Sequence, residues 1–189
     1  MEYKKRIIDK NIDFKLKYMG AIYIKGCKWC GKSTTAKQFC KSFIDFSDPD
    51  YYDNYQMSLK EKPSLLLNGE KPRLIDEWQL GKVIWNSVKI DVDKTGLKGQ
   101  YILTGSATPI EDKKSKKEVE LHPGTGRFGF ITMKPMTLFE SGESNGKISL
   151  KEILDGKRDI DGIESSLTYE QLAYLICRGG WPNSIDMPE

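Results

Sequence analysis

One octapeptide, Gly26-Cys27-Lys28-Trp29-Cys30-Gly31-Lys32-Ser33, constrains this chain more than any other feature. It follows an apolar run at residues 21–24, Ala-Ile-Tyr-Ile. It precedes residues 33–41, Ser-Thr-Thr-Ala-Lys-Gln-Phe-Cys-Lys, in which Ala36, Phe39 and Cys40 are spaced to share one helical face. An apolar run without alternation predicts a strand buried on both sides, as in a parallel sheet covered by helices. The octapeptide satisfies the G-x-x-x-x-G-K-[ST] pattern in full, between a strand and a helix. At average glycine usage a chance match in such a chain is on the order of one per cent, so an ordinary glycine-rich turn is the weaker reading.

In such a turn the glycines let backbone N–H groups face inward, and the helix that follows adds the positive end of its dipole. Phosphate oxygens fit that geometry. The octapeptide and Thr34, which follows it, therefore form the candidate cofactor-binding set for a nucleoside triphosphate, ATP before others. Lys32 is predicted to reach the terminal phosphates as a point charge. The Ser33 hydroxyl is predicted to take one position on an octahedral Mg2+ ion. Cys27 and Cys30 also form a C-x-x-C pair, but only Cys40, Cys177 and the lone His122 remain to complete a zinc site, at no recognised spacing. They read as spacers in the loop.

Length and composition set wide limits. The 189 residues, 38% hydrophobic, suffice for one core with an appendage. Thirty Lys and Arg against 27 Asp and Glu leave a net charge of +3, which does not argue for a nucleic-acid or membrane partner. No run approaches the roughly 20 apolar residues that cross a bilayer, and residues 1–10 are charged, so the cytoplasm is the expected location.

Strand patterns recur at residues 43–46, 71–76, 100–104 and 128–133. Helical patterns fall at 50–60 and at 80–92, where Val83, Ile84, Ser87, Val88 and Val92 can point inward. Residues 109–126 read as a solvated excursion, because Lys113, Lys114, Lys116 and Lys117 are interleaved with Glu111, Asp112, Glu118 and Glu120. Beyond Pro135, helices are expected near Leu138 and Leu150 and over residues 169–177, with a linker at 142–146. This alternation predicts an α/β fold with a parallel sheet whose ligands bind at the carboxyl ends of the strands. Residues 1–135 are expected to form the core, and 136–189 a helical extension.

Further polar groups fall at those strand ends. Asp76 and Glu77 close an apolar strand, where the first can order Mg2+ and the second can polarise a water; simple capping of the next helix is the competing reading. Thr104 and Ser106 end the following strand, where either hydroxyl can hold a water or touch a phosphate. Arg127, just before the last strand, can present a fixed charge to phosphate, and Arg178 competes for that role. A carboxylate beside Asp76 suits activation of water, so an ATPase is expected ahead of a nucleotide-binding switch or scaffold, with a small-molecule kinase behind both.

Taken together, Gly-Cys-Lys-Trp-Cys-Gly-Lys-Ser, Leu-Ile-Asp-Glu-Trp-Gln, Tyr-Ile-Leu-Thr-Gly-Ser-Ala, Met-Lys-Pro-Met-Thr-Leu-Phe-Glu-Ser-Gly and Gly-Gly-Trp-Pro resemble prokaryotic AAA-type ATPases of poorly characterised role. The resemblance extends from Tyr3 to Pro182. It implies a P-loop core with strand order 5-1-4-3-2, Asp76 and Glu77 as the Walker B pair, and Thr104 or Ser106 as the first sensor. It also implies Arg127 as the finger, which a neighbouring copy can supply in trans within a homo-oligomer. Such proteins continue into a domain resembling restriction nucleases. The chain, ending at Glu189, is therefore expected to be an amino-terminal fragment, with any nucleic-acid contact in the missing region.

Overall fold

The computed structural model describes residues 2–106, 126–156 and 162–185. The excursion at 109–126, with its lysines and His122, lies outside them except for Gly126. Contacts divide the chain into two units, Ile7–Lys134 and a second formed by Met1–Arg6 with Pro135–Glu189.

The larger unit is an α/β layer structure. In chain order it runs α1 (Asp9–Tyr18), β1 (Ala21–Gly26), α2 (Lys32–Lys37), β2 (Ser42–Asp45), α3 (Tyr52–Glu61), β3 (Arg73–Asp76), α4 (Val83–Thr95), β4 (Tyr101–Gly105) and β5 (Phe128–Met133). Short 3-10 turns at Pro63–Leu67 and Trp78–Gly81 precede β3 and α4. The five strands are parallel, in the order β2-β3-β4-β1-β5, which is the expected sheet read from its other edge. Parallel neighbours require crossovers, and α2, α3 and α4 lie in those from β1 to β2, β2 to β3 and β3 to β4.

The period of two along β1 divides the core. Ala21 and Tyr23 join Ile75, Leu103 and Phe128 on one face, under Trp78, Trp85 and Val88. Ile22 and Ile24 join Leu74, Ile102 and Ile131 on the other, under Ile12 of α1 and Ala36 of α2. Trp85 stacks on Phe128 with ring centroids 4.1 Å apart, and Trp78 packs beside it at 4.9 Å. Aromatic pairs of this kind add to the burial of large apolar area, and together they fix the turn that carries Trp78. The helix α1 was not expected from the sequence. Ile8, Ile12 and Leu16, four residues apart, give it the apolar stripe that covers the sheet.

In the second unit lie α5 (Leu138–Ser141), α6 (Leu150–Leu154) and α7 (Tyr169–Arg178). Thr137 and Glu140 form a reciprocal capping box at α5, as Thr168 and Gln171 do at α7. The amino-terminal residues join this unit through Arg6, whose Nε donates to Glu140 at 3.0 Å, and through Lys4, whose Nζ donates to the Ser141 carbonyl. Among the described residues no helix is long and apolar enough to cross a membrane.

Candidate nucleotide site

The loop Gly26–Ser33 leaves the carboxyl end of β1 in the centre of the sheet. Gly26 stands opposite Met133 of β5, and a Cβ at residue 26 would lie 2.3 Å from the Met133 carbonyl oxygen. Backbone cannot give way as a side chain can, so only glycine fits where the loop turns off the sheet. Cys30 is fully buried beneath the loop, its thiol 3.8 Å from that same carbonyl, whereas Cys27 is exposed. Among the described residues no group of three or more His, Cys, Asp or Glu is arranged to hold a metal.

Two residues in the loop have positive φ: Gly31 at 95°, which caps α2, and Trp29 at 70°, with its side chain 70% exposed. A bulky residue in the left-handed region costs of order 1–3 kcal/mol, a strain that concentrates at ligand sites. Lys32 is the first residue of α2. It is buried, and its Nζ donates to the Cys27 carbonyl at 2.9 Å, tying the ammonium across the loop. Ser33 and Thr34 follow in the first turn of α2, Ser33 half-buried and Thr34 exposed. Lys28, like Trp29, is on the exposed tip.

Asp76 ends β3 at the same edge of the sheet. Its carboxylate is buried, and Oδ1 accepts from the Thr104 hydroxyl and from the Glu77 N–H at 3.1 Å. Thr104 lies on β4 between β3 and β1, paired with Ile24 in register, so it links the acid pair to the strand that launches the loop. Its hydroxyl is thus engaged by Asp76, while Ser106, one residue past β4, is exposed. Glu77 is half-buried, left-handed at φ 51°, ψ 44°, and accepts at Oε2 from the Gln79 carboxamide. Sequence reasoning gave Gln79 no role. The available signal was a polar residue two positions past an acid pair.

Arg127 corrects an expectation. Phe128 pairs with Ala21, at the amino end of the strands, so Arg127 is separated from its own chain's loop by the whole length of β1, roughly 16 Å. There its Nε donates to Asp93 at 2.6 Å, on a surface where both side chains are about two-fifths exposed. This hydrogen bond holds the Asp93 carboxyl below its usual range and raises the guanidinium. A finger acting within one chain is excluded by that position. Arg178 belongs to the second unit, where its Nη1 donates to Glu143 at 2.6 Å.

A parallel five-stranded sheet with a glycine-rich loop between its central strand and a helix, and a buried acid one strand beyond its neighbour, defines a P-loop α/β domain. Residues 19–141 match the profile of a family described as AAA domain, and the chain belongs to that family. Similar solved structures are an AMPPCP-bound DnaA from Aquifex aeolicus (TM-score 0.54, 16% identity, 95% of this chain and 57% of that one) and a replication initiator DnaA bound to AMPPCP and single-stranded DNA (0.50, 18%, 98% and 60%). A DNA replication initiation factor is similar to the same degree (0.50, 16%, 95% and 56%). The chain thus spans under two thirds of these structures' length, and at such identity the likeness concerns the fold. No curated protein matches the sequence.

Proposed function

We propose that this chain binds Mg-ATP in the loop Gly26–Ser33 and hydrolyses it. The observation that carries the reading is that the loop with Lys32 and Ser33 leaves the carboxyl end of β1 and the buried Asp76 ends β3, two strands that flank β4, from which the Thr104 hydroxyl donates to Asp76. The AMPPCP in the names of two structural neighbours supports a triphosphate there.

The residues fit a magnesium ion. Both described hydrogen bonds to the Asp76 carboxylate fall on Oδ1, which leaves Oδ2 as an oxygen ligand for the ion, and the Ser33 hydroxyl would supply a second. One carboxylate and one hydroxyl, completed by phosphate oxygens and water, make a usual magnesium shell. When bound, the ion neutralises charge on the phosphates. Lys32 holds the terminal phosphates, Glu77 takes a proton from the attacking water, and the exposed Ser106 is the better placed first sensor, with Thr104 orienting Asp76. Arg127 acts on the nucleotide of a neighbouring copy. The cytoplasm is its proposed location.

Steady-state phosphate release tests the reading. Glu77→Gln is expected to lower kcat by 100-fold or more, in line with the roughly 10²–10⁴ of a general base, while ATP affinity stays near wild type. Equal release by both proteins would remove Glu77 as the base, ATP binding with negligible release would leave a nucleotide-binding switch, and ADP production that required an added acceptor would favour a kinase.

A further inference from the structure

In the segment Leu-Ile-Asp-Glu-Trp-Gln, one polar side chain has no part in the chemistry above. Gln79 lies in the 3-10 turn Trp78–Gly81, closed by the Leu80 N–H donating to the Glu77 carbonyl at 3.0 Å. Its Nε2 donates to Glu77 Oε2, while its Oε1 is buried and has no partner among the described residues. That Oε1 rests against the bare backbone of Gly105, where an added Cβ would come within 2.3 Å of it.

Its neighbour Trp78 anchors the turn from the other side. The indole is 1% exposed and stands edge-on to Tyr23 at 5.8 Å, and the Tyr23 hydroxyl donates to the Gly105 carbonyl at 3.3 Å. The carboxamide is therefore wedged between the end of β4 and the Glu77 carboxylate. A methionine would fill that space without burying an unmet acceptor. Packing alone does not account for the amide, but the Glu77 carboxylate does.

We propose that Gln79 is the positioning residue for Glu77: its N–H occupies Oε2 and fixes the carboxylate so that Oε1 is presented to the water. The proposal rests on the reading of Glu77 as the base. A glutamate without such a donor samples several rotamers, and a base works only within hydrogen-bond reach of the proton it takes. The left-handed backbone at Glu77 is consistent with this, since strain there sets the start of the side chain as the amide sets its end.

Gln79→Met keeps the length and the packing against Gly105 but removes the donor. In the 189-residue chain it is expected to lower kcat for phosphate release roughly 10- to 100-fold, the scale of a small misplacement, with KM for ATP and Tm near wild type. Added to Glu77→Gln, it is expected to change the residual single-turnover rate no further. A kcat at or above wild type, a loss that appears in KM, or the same fractional loss in the Glu77→Gln background would overturn the proposal. If Gln79→Met lowers Tm, Gln79→Glu, equal in length with an acceptor for the donor, is read against the same outcomes. Release that depends on Glu77 but not on Gln79 removes this proposal alone. Release independent of Glu77 removes the underlying reading, and the proposal with it.

Discussion

Asp76 is held by two bonds of different origin. The Glu77 N–H is local and forms wherever the chain turns in this way, but the Thr104 hydroxyl comes from a residue 28 positions away. Thr104 is fully buried and Asp76 nearly so, and without the hydroxyl the Asp76 Oδ1 would keep a single hydrogen bond among the described residues. Thr104→Val, nearly equal in volume, is expected to cost about 1–3 kcal/mol in urea denaturation near neutral pH. A loss well under about half a kcal/mol would mean that the hydroxyl contributes no net bond. The Gly26 loop was legible in the sequence because its pattern is contiguous. Which of Thr104 and Ser106 bonds Asp76 was not, because two residues apart they share a face of the strand, and the register of β4 against β3 that decides between them is fixed only when the sheet assembles.

At the scale of elements, the strands were legible because each is a short apolar run bounded by turn residues, and residues 128–133 match β5 in full. The helix α1 was missed because its apolar stripe runs through charged residues, and its mean hydropathy is low. The turn Pro63–Leu67 was missed as well. It supplies the Leu67 carbonyl that accepts from Lys71 Nζ at 2.7 Å, and the ammonium lies 3.7 Å from the centroid of the Tyr101 ring. Burial pulls Lys71 from its ordinary 10.5 to about 8, against the opposing charge of Asp91. From about 8 up to 10.5 the unfolded chain then binds more protons at this residue than the folded one, so stability rises with pH through that window. Burial and the hydrogen bond to Asp91 raise Tyr101, which acts the other way once tyrosines ionise in the unfolded chain. Denaturation midpoints at about pH 7 and about pH 9.5 should therefore show wild type gaining on Lys71→Met at the higher value. A difference between the two proteins that does not change with pH would place the Lys71 proton outside the folding equilibrium.

For the molecule as a whole, the consequential placement is that of Arg127. The loop opens from the carboxyl ends of the strands and Arg127 leaves the amino end of β5, so one chain presents its candidate nucleotide loop and its candidate finger at opposite ends of the strands. An Arg127 that served a neighbouring copy's loop would require a head-to-tail contact, which closes into a ring or propagates, whereas a two-fold contact would join like with like. The exposed pair Arg127–Asp93 is compatible with that use, because a surface ion pair is weak and can be exchanged for a phosphate. Mixing two defective proteins tests it. Arg127→Ala keeps its own Glu77, and Glu77→Gln keeps its Arg127. Each alone is expected to release little phosphate. In an equal mixture about a quarter of the sites would join an intact Glu77 to a neighbour's Arg127, so turnover should recover toward about a quarter of wild type, increasing with protein concentration. Recovery that is absent at every concentration, or full activity of Arg127→Ala alone, would assign Arg127 to the Asp93 pair and leave the nucleotide to the residues of a single chain.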